Sequence, residues 1–90
     1  MYEIELSDKA IIEIAYLRKT EPAAYKKLET LLIELSENPR IGTGRVELLK
    51  YGLRGYYSRR ITKKHRLVYE IIDDVLIVFV LSVYGHYDDK

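Results

Sequence analysis

The chain has 90 residues and 10.6 kDa, 48% hydrophobic and 32% charged, which bounds it to one small domain, residues 1–90, with just enough apolar content for a core. It contains no cysteine, so disulfides, thiolate metal sites, iron–sulfur clusters and cysteine nucleophiles are excluded, and a reducing cytoplasmic location is favoured. The net charge of +1 hides an asymmetry: residues 40–66 hold nine basic residues against one acid, Glu47, for a local net of +8, between flanks of −3 in residues 1–39 and −4 in residues 67–90.

Residues 2–6 alternate polar and apolar, which predicts a half-buried strand. Their acidic character is unlike a signal peptide. Ser7 is a candidate N-cap with Asp8 in the first turn, and Ile11, Ile14, Ala15 and Arg18 at helical spacing predict a helix over residues 8–19. Thr20 is a candidate cap for a second helix with Pro22 in its first turn. There Ala24, Leu28, Leu31 and Leu35 form an apolar stripe, closed by Asn38-Pro39. Residues 41–44 read as a loop. Strands are then predicted at 45–49, Tyr56–Ile61 and Arg66–Ile72, with turns at Thr62-Lys63-Lys64 and Asp73-Asp74. Val75–Tyr84 is β-branched and apolar, which predicts a central strand covered on both faces. The order β-α-α-β-β-β is that of an α+β domain, a two-helix hairpin lying on a sheet. The longest apolar run, Val75 to Leu81, falls far short of the about 20 residues of a membrane span, so no membrane association is expected.

The segment Arg54-Gly-Tyr-Tyr-Ser-Arg-Arg-Ile-Thr-Lys-Lys-His-Arg66 interleaves cations with aromatic rings. Cations suit phosphates, and tyrosine or arginine planes suit unpaired bases, so this segment is a candidate RNA-binding surface. RNA cleavage without a metal needs a base for the ribose 2′-OH, an acid for the leaving 5′-oxygen and a cation for the phosphorane. Glu47, His86 and Arg66 are of the right types. Each also has a plain alternative. Glu47 could pair with Arg45 or Lys50, Arg66 could be one more surface cation, and His86 could be an exposed tail residue. Gly42-Thr43-Gly44 lacks the rest of a P-loop or dinucleotide fingerprint and reads as a turn. His65 suits a structural or RNA-contact role. Two histidines are too few for a multi-histidine metal site, and Asp73-Asp74 or Asp88-Asp89 could hold a hard cation only with further oxygens.

Leu49-Lys50, then Leu53-x-Gly55-Tyr56-Tyr57-Ser58-Arg59-Arg60-Ile61-Thr62-x-x-His65-Arg66-Leu67-Val68-Tyr69, resemble the YoeB/Txe group of the RelE/ParE superfamily of toxin–antitoxin toxins. Gly42-x-Gly44-x-x-Glu47-x-Leu49-Lys50 and Tyr84-Gly85-His86-Tyr87 fit the same pattern. The resemblance implies a RelE-like fold with a mainly antiparallel twisted sheet. It also implies a ribosome-dependent endoribonuclease that cuts mRNA in the A site without metal or other cofactor. Carried onto this chain, Glu47 would be the general base, His86 the general acid and Arg66 the phosphorane-stabilising cation. Lys50, Tyr57, Arg59, Arg60 and Tyr87 would contact RNA. The implied partners are mRNA, the 70S ribosome, an acidic antitoxin of the YefM/Axe kind, operator DNA through the antitoxin complex alone, and a second copy of the chain. The competing readings are a non-catalytic ribosome- or RNA-binding module and an antitoxin-bound corepressor. Asp88-Asp89-Lys90 extends beyond the His-Tyr pair on which well-known members end, and either aspartate is expected to act on His86.

Overall fold

A computed structural model describes residues 1–50 and 55–85. The element order is β1 (Glu3–Leu6), α1 (Asp8–Thr20), α2 (Pro22–Glu37), β2 (Glu47–Leu48), β3 (Tyr57–Arg60), β4 (Arg66–Ile72), a 3-10 turn (Asp73–Val75) and β5 (Ile77–Ser82). The strands form a five-stranded sheet in the order β1-β5-β4-β3-β2. Among the described residues only the β1–β5 pairing is parallel; β2–β3, β3–β4 and β4–β5 are antiparallel. The two helices pack on one face of this mostly antiparallel sheet, as the β-α-α-β-β-β order implied.

Ser7 caps α1 as expected, its Oγ accepting from the Ala10 N–H at 2.9 Å. The same hydroxyl donates to the Leu81 carbonyl at 2.7 Å, so the cap also fastens the helix start to β5. The face of α1 that is buried differs from expectation. Ala10 and Leu17 are fully buried, Ile14 is half-buried, and Ile11, Ile12 and Tyr16 are exposed. Alpha-1 is apolar on more than one side, so spacing alone did not select the stripe; the small Ala10 lies against the sheet. In α2 the expected stripe Ala24, Leu28, Leu31 and Leu35 is the buried one. Burying each leucine contributes about 1.5–3 kcal/mol relative to exposure, before the entropy of ordering is set against it. These residues meet Ile61, Leu67, Tyr69, Val78, Val80 and Val83 to form the core.

Thr20 does not cap α2. It is the last residue of α1, and its hydroxyl donates to the Tyr16 carbonyl at 2.7 Å. Glu21 takes the cap position without a side-chain cap bond, its carboxylate being engaged elsewhere. Beta-5 is covered on one face rather than two. Val78 and Val80 are buried against the helices, while Ile77 and Phe79, which point the other way, are only half-buried. At the turn before β5, Asp73 receives Arg40 through two bonds (3.2 and 2.8 Å) and the Tyr2 hydroxyl at 2.7 Å. Arg40, with help from Tyr2, holds the Asp73 carboxyl below the ordinary carboxylate range. Among the described residues no helix is long and apolar enough to cross a membrane, and no group of three or more His, Cys, Asp or Glu side chains could hold a metal ion.

Candidate functional site

The strand register decides which face each candidate side chain occupies, because successive residues alternate. In β4, Leu67 and Tyr69 point into the helix-facing core. Arg59 pairs with Leu67 and Tyr57 with Tyr69, so both share that inner face. Arg60 pairs with Arg66, Ser58 with Val68, and Glu47 with Ser58, so these lie on the face turned away from the helices.

Arg59, expected on RNA, therefore points into the core. Its side chain is fully buried. A guanidinium has five N–H donors, and all find acceptors. Nε donates to Tyr69 Oη at 3.2 Å, Nη1 to Glu34 Oε1 at 3.0 Å and the Thr43 carbonyl at 3.4 Å, and Nη2 to the carbonyls of Asn38 at 3.1 Å and Ile41 at 2.6 Å. Tyr69 in turn donates to the Pro39 carbonyl at 2.7 Å. Burial pushes the Tyr69 phenol up despite the neighbouring guanidinium. Loop 38–44 thus wraps a buried cation. Tyr57, also expected on RNA, is half-buried and stacks on Tyr69 with ring centroids 5.8 Å apart, so much of its ring belongs to the core.

Glu34 closes this cluster, accepting from the Thr43 N–H at 2.8 Å and the Thr43 hydroxyl at 2.9 Å besides Arg59. The Thr43 bonds, then Arg59, hold its carboxyl below the ordinary value of 4.5. A depressed folded-state pKa gives a contribution to stability that is present above the unfolded value and lost as pH falls through the folded one. Glu34→Gln should accordingly be less stable at neutral pH. Below the ordinary glutamate range it should lose stability less steeply than wild type, in thermal melts recorded across a pH series.

From this loop the chain is steered into β2. The Gly44 carbonyl accepts from the Arg60 N–H at 2.5 Å. Gly44 has φ +91°, and a Cβ there would lie 2.7 Å from the Arg60 carbonyl oxygen, so the close approach requires glycine. Three residues on, Glu47 stands 45% exposed, and its Oε1 receives Arg66 Nη1 at 3.2 Å; Arg66 is only 14% exposed. Two of the three expected catalytic residues, on separate strands and 19 positions apart, are thus in contact. Arg60 is exposed on the same face directly across from Arg66, and Lys50 is exposed just beyond the end of β2. His86 and Tyr87, with Asp88 and Asp89, lie outside the described residues. The described chain ends at Gly85, whose carbonyl accepts from the Arg66 N–H at 3.0 Å, which puts it beside the Arg66–Glu47 pair.

His65 is fully buried, which fits the structural one of the two roles considered for it. Its ring lies between Glu21 Oε2, 2.9 Å from Nε2, and the Gly85 N–H, 2.8 Å from Nδ1. His65, with Lys64 at 3.6 Å, holds the Glu21 carboxyl below its ordinary value. The structural weight of Glu21, Glu34 and Gly85 was not anticipated. A sequence signal existed for His65 and Arg59 alone, through their parity with Leu67 and Tyr69. Of the nine cations in residues 40–66, at least four are ion-paired: Arg40, Arg59, Lys64 and Arg66. Three of the carboxylates they meet, those of Asp73, Glu34 and Glu21, come from the acidic flanks.

A family model described as a YoeB-like toxin of bacterial type II toxin–antitoxin systems matches residues 6–87. Toxin YoeB of Escherichia coli K12 is 38% identical over 72 residues, covering 80% of this chain and 86% of that protein. The mRNA interferase toxin RelE of the same strain is 30% identical over 83 residues, 91% of this chain and 80% of that one. In fold, the YoeB/ParE toxin from Agrobacterium tumefaciens gives a TM-score of 0.89 at 28% identity, over 97% of this chain and 100% of that one. A chain of the heterotetrameric YoeB–YefM toxin–antitoxin complex from Staphylococcus aureus gives 0.82 at 35% identity, over 97% and 99%. Fold and face together define a toxin of the RelE/ParE superfamily. Within it, the chain belongs to the YoeB family of type II toxin–antitoxin toxins.

Proposed function

We propose that this toxin is an endoribonuclease that cuts mRNA in the ribosomal A site. The observation that carries the reading is the Glu47–Arg66 contact on the helix-free face, with Arg60 across from it and Gly85, the residue before His86, bonded to the Arg66 backbone. Glu47 accepts the proton of a ribose 2′-OH, and the freed 2′-oxygen attacks the adjacent phosphorus. Negative charge grows on the equatorial oxygens of the phosphorane, where Arg66 stabilises it through its planar guanidinium. The bond from phosphorus to the 5′-oxygen then breaks, and His86 gives that oxygen its proton. The products are a 2′,3′-cyclic phosphate and a 5′-hydroxyl, and the chemistry as written needs no metal. Arg60 and Lys50 contact phosphates of the message or of ribosomal RNA, and Tyr87 holds the message by stacking.

The same residues are what a regulator would cover. The Staphylococcus aureus relative was solved with the antitoxin YefM, and a segment of local charge +8 suits an acidic partner that folds as it binds. The test is to add the protein to translating ribosomes and map the mRNA ends, with naked mRNA as the control. Cuts that require ribosomes and vanish in His86→Ala are expected. Equal arrest of translation by Glu47→Ala/His86→Ala and wild type would leave a blocking module instead of a nuclease.

A further inference from the structure

His65 directly precedes β4 and Arg66 opens it, and the two side chains face opposite ways across the sheet. The Arg66 side chain reaches Glu47 on the outer face, while the His65 ring is buried on the inner one. Both residues grip Gly85: the Arg66 backbone N–H donates to the Gly85 carbonyl, and the Gly85 N–H points at His65 Nδ1. A backbone amide can only donate, so Nδ1 must be the unprotonated ring nitrogen and the ring proton sits on Nε2, facing Glu21. The Tyr84 ring packs against the imidazole with centroids 4.4 Å apart. Glu21 comes from the junction of α1 and α2, where it has given up a helix-capping bond to make this contact.

We propose that His65 is a positioning residue for the general acid. Glu21 selects its Nε2–H tautomer, and the Nδ1 lone pair left free by that choice holds Gly85, setting where the chain departs into His86 and Tyr87. The proposal rests on the reading of His86 as the acid. A proton on Nδ1 would set two donors against each other at Gly85, so the clamp exists in one protonation form only. The helix hairpin, remote from the reacting phosphate, thereby acts on the reaction through a carboxylate, an imidazole and an amide in series.

Three measurements test this on the full chain. Ring nitrogen shifts by NMR should show Nε2 protonated and Nδ1 bare in His65; the opposite tautomer overturns the proposal. The Gly85 amide should exchange slowly in wild type and in His65→Asn, whose side-chain oxygen can stand in for Nδ1, and fast in His65→Leu; equal exchange in all three overturns it. In ribosome-dependent cleavage, His65→Leu should lose about tenfold to a hundredfold in kcat with KM little changed, as misplacement of a catalytic group does, and His65→Asn should recover most of that. Equal impairment of both variants would mark a purely structural residue and overturn the proposal. Should His65→Leu fail to fold, Glu21→Leu keeps the ring and removes the acceptor of its Nε2 proton; faster Gly85 exchange and a fall in kcat are then expected, and no change in either overturns the proposal. The tautomer and exchange measurements do not depend on cleavage. A wild-type protein that cuts nothing would therefore bring down the nuclease reading while the clamp is still judged by them.

Discussion

Replacing Arg59 with methionine should cost about 3–5 kcal/mol of folding stability, the usual penalty for removing one partner of a buried ion pair. Methionine preserves much of the side-chain length, so a void is not the main effect. What is lost is the partner of several acceptors at once: Glu34, the Tyr69 hydroxyl and the carbonyls of Asn38, Ile41 and Thr43. Each buried acceptor left unmatched carries its own desolvation cost of about 1–3 kcal/mol. Glu34 keeps its two bonds from Thr43 and some contact with solvent, which limits the damage at that end. A small domain has only about 5–15 kcal/mol in total, so the variant should sit near the edge of folding. Urea unfolding should show a much lower midpoint at an unchanged slope, the sign of altered stability rather than altered compactness. An arginine serving RNA would behave oppositely, leaving the midpoint within about 0.5 kcal/mol of wild type as surface changes do. A midpoint that stays put would return Arg59 to the RNA-binding set.

The difference between Arg59 and its neighbour shows what was legible in the sequence. Both stand in a run of cations and aromatics, and composition treats them alike. Strand parity separates them: Arg60 shares a face with Arg66, and Arg59 with Leu67 and Tyr69. Parity was available once the strand was placed, but a buried guanidinium is too costly to expect without its acceptors, and those lie on a loop and a helix up to 25 positions away. The same distance hid the Arg40–Asp73 and His65–Glu21 contacts, 33 and 44 positions apart. Local signals fared better. The α2 stripe, the Ser7 cap and the bounds of β4 depend on neighbours within a turn or on period-2 alternation, and they stand as expected. Alpha-1 was ambiguous because Ile11, Ile12 and Tyr16 make it apolar on a second side. The basic segment was legible as a total charge but not as a surface, since the acidic flanks return to neutralise part of it.

Glu47→Gln and Arg66→Ala should each slow single-turnover cleavage on the ribosome, by about 10²–10⁴-fold for loss of a general base and about 10²–10³-fold for loss of a group that stabilises the transition-state charge. The stability cost of Glu47→Gln should be far smaller. Glu47 is 45% exposed, and ion pairs open to solvent are worth about 0–1 kcal/mol. The informative variant is the double one. The two side chains touch at 3.2 Å, so each sets the other's electrostatic surroundings, and groups acting as a unit give effects that do not multiply. Each side chain is held in place partly by the other, so Arg66→Ala already costs Glu47 some of its positioning even as the phosphorane loses its stabiliser. Part of the loss from one change is thus already contained in the other. The double variant should be less impaired than the product of the two single losses predicts. Arg66→Lys restores charge without the planar fork and should recover only a fraction of the Arg66→Ala deficit. Losses that simply multiply would mean that Glu47 and Arg66 act independently, and that their contact in the resting protein is a surface ion pair with no part in the reaction.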